Sequence, residues 1–220
     1  MILKLDRIFY RYEKNLPNIL NGISYEFEKG KLYAITGGSG SGKTTLISII
    51  AALAKPTEGK IYYNGIDISK LDEDKYRAND VSIIFQSYNL LYNYTAIDNI
   101  TTALHISGYR GDCTERANVL LDEVGIPTVK RKYVVQNLSG GEQQRIAIAR
   151  ALASDSGVIL ADEPTGNLDE DNKNNIMRIF KRLADEYEKC VIIVTHSQQV
   201  AAFVDFSLNI SDGKIVSSSS

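Results

Sequence analysis

Apolar positions along the chain fall into two patterns. Short continuous runs occur at Lys31 to Thr36 (KLYAIT), Val81 to Phe85 (VSIIF), Gly157 to Ala161 (GVILA) and Val191 to Thr195 (VIIVT). Such runs read as strands buried on both faces. Leu3 to Tyr10, Ile23 to Phe27 and Lys60 to Tyr63 add further strands near the N-terminus. They are separated by the turn segments Glu28-Lys29-Gly30, Pro56-Thr57-Glu58-Gly59 and Asn64-Gly65.

The second pattern is helical. TTLISIIAALA carries apolar residues at helical spacing and stops before Pro56, and Glu170 to Tyr187 reads as a long amphipathic helix. From Thr95 to about Leu152 the chain reads as helical. Thr95 caps a helix running toward Ile106, Asp112 with Glu115 suits a capping box for a helix through Val124, and Ser139 with Glu142 suits another. Buried strands alternating with helices imply an α/β protein with a parallel sheet. No internal repeat is present, and the closing run Ser217 to Ser220 is expected to fray.

Composition narrows the class. The 220 residues suffice for one sizeable domain, and 44% hydrophobic with 24% charged content is ordinary for a globular protein. A net charge of −2 provides no general attraction to nucleic acid or an acidic membrane face. The longest apolar stretches are too short and interrupted to span a bilayer. The N-terminal MILKLDRIFYRY has charges inside its apolar run and no cleavable hydrophobic region, so a cytosolic chain is expected. Cys113 and Cys190 form neither a disulfide framework nor a metal spacing, and Cys190, leading into an apolar strand, is expected to be a buried free thiol.

The chemistry concentrates in GGSGSGKTT, which fits the phosphate-loop spacing through Gly37, Gly42, Lys43 and Thr44. Glycines let successive N–H groups converge on an anion, and the following helix start adds donors and partial positive charge. Lys43 suits the outer phosphates and the Thr44 hydroxyl suits Mg²⁺. The strand upstream and the helix downstream are the context this motif needs. VILADE then places Asp162 and Glu163 just past a buried strand, where ligand sites of such sheets lie. Asp162 suits Mg²⁺ through water, and Glu163 suits a general base on an attacking water. A lone acidic strand end is common; beside a phosphate loop it reads as a hydrolytic site. His196 ends the next apolar strand and suits contact with a γ-phosphate. Gln86 follows VSIIF in the same way, its amide suited to Mg²⁺ or to the attacking water. His105 sits on a helical segment and is assigned no chemistry.

LSGGEQQR, Leu138 to Arg145, resembles the signature of the ATP-binding cassette (ABC) family, and nearly the whole chain follows that family's motif order. The phosphate loop covers Gly37, Gly38, Ser39, Gly40, Ser41, Gly42, Lys43, Thr44 and Thr45. Gln86 matches the Q-loop, and Ser139, Gly140, Gly141, Glu142 and Gln143 match the signature. Asp162 with Glu163 match the Walker B end, Asn167-Leu168-Asp169 the D-loop, and His196 the switch histidine. Tyr12 fits the aromatic that stacks on adenine, with Tyr10 a close competitor. The chain has Gly38 where relatives often carry proline, and GNLD where many have SALD.

The resemblance implies an α/β phosphate-loop NTPase of ABC type. A parallel-sheet core and an antiparallel β subdomain would occupy about 1–85 and 155–220, with an α-helical subdomain over about 86–154. It implies ATP and Mg²⁺ as ligands, with Glu163, His196 and Lys43 catalytic and Thr44, Gln86 and Asp162 toward the metal. A homodimer would form on ATP binding, in which Ser139 to Gln143 and Asp169 face the nucleotide of the other copy. The implied activity is ATP hydrolysis driving a separately encoded integral membrane permease, with the chain peripheral on the inner face of the cell membrane. FQSYNLLYNYTAIDNI and LADEPTGNLD resemble the lipoprotein-release, macrolide-export and peptide-resistance branch. The alternative within the superfamily is an ATPase acting on DNA or ribosomes. Chains of that kind usually carry long coiled coils or two cassettes, and this one has neither.

Overall fold

The computed structural model describes residues 1–166, 168–197, 199–200 and 203–217. Asn167 and the last three serines lie outside them. The strands in chain order are β1 (Leu3–Tyr10), β2 (Leu20–Phe27), β3 (Leu32–Thr36), β4 (Glu58–Tyr63), β5 (Ile66–Asp67), β6 (Val81–Ile84), β7 (Val158–Asp162), β8 (Cys190–Val194), β9 (Phe206–Ser211) and β10 (Lys214–Ser217). The helices are α1 (Lys43–Ile50), α2 (Glu73–Asn79), α3 (Ala96–Ile106), α4 (Cys113–Glu123), α5 (Gly140–Leu152) and α6 (Glu170–Asp185).

Two sheets form. One has the order β2-β1-β4-β5 and is antiparallel. The other runs β10-β9-β3-β8-β7-β6, parallel throughout except for the β9–β10 hairpin. In β3, β7 and β8 adjacent residues point to opposite faces. Ala34, Ile159, Ala161, Val191 and Ile193 enter a core shared with α3, α4, α5 and α6. Tyr33, Ile35, Leu160, Ile192 and Val194 enter a second core with α1 and the antiparallel sheet, through Leu46, Ile50, Leu5 and Phe27. Burial on both faces is why these strands are continuous apolar runs. Cys190 is a buried free thiol whose pKa burial pushes up to about 12.

The parallel register brings Asp162 level with Val194, Ile35 level with Val194, and Ile84 level with Ala161. The residues that follow these strands therefore emerge along one edge. This edge carries the phosphate loop, Gln86, Glu163 and His196.

Several expectations needed adjustment. β4 begins at Glu58, inside the segment read as a turn. The helix α2 and the hairpin β9–β10 were not anticipated. Thr95 and Ser139 each head a complete capping box with Asp98 and Glu142. Asp112 caps α4 by accepting from the N–H groups of Thr114 and Glu115, but the return bond from Glu115 is absent among the described hydrogen bonds. No described helix is long and apolar enough to cross a membrane.

Candidate nucleotide site

The phosphate loop joins β3 to α1. Gly42 ends it with φ +99°, and a Cβ there would meet Leu20 Cδ2 at 2.7 Å, so both conformation and space demand glycine. No side chain caps α1, and its first-turn N–H groups face the loop. Free donors plus the helix dipole form an anion cradle. Inside the loop, Lys43 Nζ donates to the carbonyls of Gly37 and Gly38, each at 2.9 Å. Burial lowers the Lys43 pKa, against the opposing pull of Glu163 and Asp162.

A cavity of about 310 Å³ lies beside the loop. Ser39, Gly40, Gly42, Lys43, Thr44 and Thr45 form one side, and Gln86, Asp162, Glu163 and His196 the other, with Tyr12 and Ile19 at its margin. Four residues from three strand ends thus converge on the phosphate loop. Gly37 and Gly38 line the neighbouring cavity, which His196 also borders. Tyr12 is exposed, with its hydroxyl 3.3 Å from Thr45 Oγ1. Tyr10 packs edge-on against Tyr12 and does not line the cavity.

Glu163 is the most constrained acid of the site. Its backbone takes φ +46°, a conformation disfavoured for residues with a Cβ. Its N–H donates to Val194 O, and its Oε2 accepts from Thr195 Oγ1 at 3.2 Å and from His196 N at 3.4 Å. Its Oε1 is buried without a hydrogen-bond partner. His196 Nε2 lies 3.3 Å from that oxygen, within ion-pair distance but not aligned as a hydrogen bond. A carboxylate oxygen without a hydrogen-bond donor, on a residue that lines the cavity, is the acceptor that a general base requires. Thr195, which holds the other oxygen, was not singled out from the sequence. It closes the VIIVT run, but its partner is set only by the strand register.

The signature residues lie elsewhere. Ser139 caps α5, accepting from Glu142 N, while the Glu142 carboxylate accepts from Ser139 N at 3.0 Å and pairs with Lys130. Gln143 Nε2 donates to Leu138 O. A Cβ at Gly141 would meet Asn172 Oδ1 at 2.5 Å, so α5 and the start of α6 touch closely there. Asp169 caps α6 by accepting from Asn172 N at 2.8 Å. None of residues 139–143 lines the 310 Å³ cavity, and neither does Asp169.

The family model described as ABC transporter matches residues 20–166. The chain belongs to the ABC transporter family. It is 43% identical over 213 residues to the ABC transporter ATP-binding protein YclH of Bacillus subtilis (strain 168), covering 96% of this chain and 94% of YclH. Identity is 36% over 222 residues to the lipoprotein-releasing system ATP-binding protein LolD 1 of Rhodopseudomonas palustris, covering 97% and 98%. Among solved structures, the dimeric post-hydrolysis state of the cassette MJ0796 bound to ADP and Pi superimposes with a TM-score of 0.87 at 35% identity, covering 97% of this chain and 96% of that one. This ABC protein is an ATP-binding, ATP-hydrolysing subunit, and its relatives fall in the lipoprotein-release and macrolide-export branch.

Proposed function

We propose that two copies of this chain close around two MgATP and convert their hydrolysis into motion of a separate membrane permease. The observation that carries this reading is the division of the site. One chain gathers Lys43, Thr44, Asp162, Glu163, Gln86 and His196 around the phosphate cavity, while its Ser139-to-Gln143 segment lies outside it. A second copy supplies the missing wall. The dimeric state described for MJ0796 supports the same arrangement.

In this assembly Lys43 and the N–H groups at the start of α1 hold the β- and γ-phosphates, and Tyr12 stacks on adenine. Glu163 takes the proton of the attacking water through Oε1, while Thr195 and the His196 N–H keep Oε2 fixed. His196 holds the γ-phosphate. Ser139, Gly140, Gly141 and Gln143 of the other copy bind the same phosphate from the opposite side, with Asp169 beside them. Glu142 acts within its own chain by holding the capping box. Residues fit for Mg²⁺ are the Thr44 hydroxyl, the Asp162 carboxylate and the Gln86 amide, all on this cavity. The described residues contain no three-membered acidic, histidine or cysteine cluster, which suits an ion shared with nucleotide phosphates rather than caged by protein. When bound, Mg²⁺ neutralises charge developing on those phosphates.

The helical segment 86–154 and the core leave a cavity of about 430 Å³ between them, lined in part by Phe85, Leu91, Thr102, Ala103 and Ile106. We place a cytoplasmic helix of the permease there, with the chain peripheral on the inner face of the membrane. Glu163→Gln tests the core of the reading. It should bind ATP as the parent does, lose turnover by at least about a hundredfold, and accumulate as an ATP-dependent dimer in light scattering. A variant that stays monomeric with MgATP at every concentration would overturn the composite site.

A further inference from the structure

Between Gln86 and α3 the chain makes an unusual turn. Tyr88 and Asn89 are consecutive and both left-handed, with φ +62° and +48°. Asparagine tolerates this conformation, but tyrosine resists it because of its Cβ. Within the segment Tyr88 N donates to Phe85 O, Asn89 N to Ser87 O, and Tyr92 Oη to Ser87 O at 3.1 Å, and side chains of the neighbouring helices also hold the turn.

Two side chains do so. Arg150, near the end of α5, donates through Nη1 to Asn89 O at 2.5 Å and through Nη2 to Tyr88 O at 3.0 Å. Asn99 of α3 is buried. It accepts from Leu91 N at 2.8 Å and donates to Leu91 O at 3.2 Å. The segment from Gln86 to Leu91 is thus pinned at its middle from α5 and at its far end from α3, while Gln86 itself borders the nucleotide cavity. The planar guanidinium fork, with donors on two nitrogens, suits two adjacent carbonyls.

We propose that Arg150 is a positioning residue. By clamping the left-handed Tyr88–Asn89 turn to α5, it fixes where Gln86 meets the nucleotide cavity. The helix that starts at Ser139 thereby sets Gln86 at its other end. α5 has 13 residues, about 20 Å, and the Tyr88 hydroxyl lies 3.4 Å from where a Cβ of Gly140 would stand, so the turn is tied to α5 near both ends of the helix. A movement of α5 that accompanies dimer closure carries the turn with it. The inference rests on the ATPase reading above and adds to it a route by which Gln86 is aligned.

The test is steady-state MgATP hydrolysis by the full chain. Arg150→Ala should lower kcat about tenfold and leave the KM for ATP within twofold, because the phosphate loop is untouched. Adding Tyr88→Gly to Arg150→Ala, which removes the conformational resistance, should restore most of the lost turnover. Adding Tyr88→Ala, which removes the same ring but retains the Cβ, should not. If Arg150→Ala is not recovered folded, Arg150→Gln with the same pair of second substitutions makes the comparison. Parental kcat in the arginine variant, or equal effects of glycine and alanine at position 88, overturns the proposal. A parent chain inactive with MgATP would instead remove the ATPase reading itself, so the two failures are distinct.

Discussion

Thr195 Oγ1 lies 3.2 Å from Glu163 Oε2, across two neighbouring parallel strands. Thr195 is buried, so its hydroxyl has no competing water. The bond leaves Oε1 without a hydrogen-bond donor, beside His196 Nε2 at 3.3 Å, in a residue that lines the nucleotide cavity. Thr195→Val keeps the shape and removes the donor. One net hydrogen bond is worth about 1 kcal/mol, or about fivefold in rate. The expected outcome is a kcat lowered about fivefold with KM for ATP unchanged. A variant with parental kcat would show that Glu163 is oriented by its backbone and His196 alone.

Lys43 makes a different prediction. Without nucleotide its ammonium is satisfied by two loop carbonyls. Binding trades them for phosphate oxygens, and a charge-assisted bond of this kind is worth about 1.5–3 kcal/mol. Lys43→Ala should therefore weaken ATP binding about ten- to a hundredfold in a direct titration, with the melting temperature of the nucleotide-free chain little changed. Equal affinity in parent and variant would take Lys43 out of the phosphate site.

Much of this was legible in the sequence, for identifiable reasons. β3, β7 and β8 are buried on both faces, so their runs are continuous and the polar residues that follow them stand out. Asp162, Glu163 and His196 could be named because each sits at or just past the end of such a run, and Gly42 and Lys43 because they complete the phosphate-loop spacing. α2 was missed because only Tyr76 of its seven residues is buried, leaving no apolar stripe to read. β9 alternates apolar and polar residues as a strand should, but only Leu208 and Ile210 of its six residues are buried and Phe206 is exposed, so it lacks the continuous apolar run that marked β3, β7 and β8. Thr195, Asn172 and Arg150 matter here through partners far along the chain, Glu163, Gly141 and the Tyr88–Asn89 turn, and no local pattern announces such a tertiary contact. Tyr88 gave no warning of its left-handed backbone, since tyrosine is not a residue that prefers it.

Gly141 tests the contact between the signature helix and α6. A methyl there would stand 2.5 Å from Asn172 Oδ1. Asn172 cannot easily withdraw, because its side-chain amide donates to both carboxylate oxygens of Asp169, at 3.1 and 2.8 Å. Gly141→Ala should lower turnover by about tenfold or more, as overpacking of about 1–3 kcal/mol displaces the helix start. ATP binding to the isolated chain should persist. Shortening the neighbour with Asn172→Ala should recover part of the loss, and absence of recovery would place the fault elsewhere than in this contact.

Asp205 predicts how stability responds to acid. Its Oδ2 accepts from Leu32 N and its Oδ1 from Lys181 Nζ, both at 2.8 Å, just where β3 starts toward the phosphate loop. Burial by itself raises the carboxyl pKa, but the Lys181 and Leu32 bonds outweigh it and hold the pKa below its ordinary 3.8. A carboxylate with a depressed folded pKa contributes stability above the unfolded value and loses it as pH falls through the folded one. Asp205→Asn should therefore cost about 1–2 kcal/mol near pH 7, a drop of about 2–8 °C in melting temperature for a chain of this size. The gap between parent and variant should begin to narrow as the pH falls below the ordinary 3.8, where the unfolded chain takes up the proton, and close only as it passes through the lower folded value, where the native carboxylate is protonated too. Melting curves for both proteins at neutral and acid pH decide the matter. A gap that stays constant across that range would mean that Asp205 contributes through shape and not through its charge.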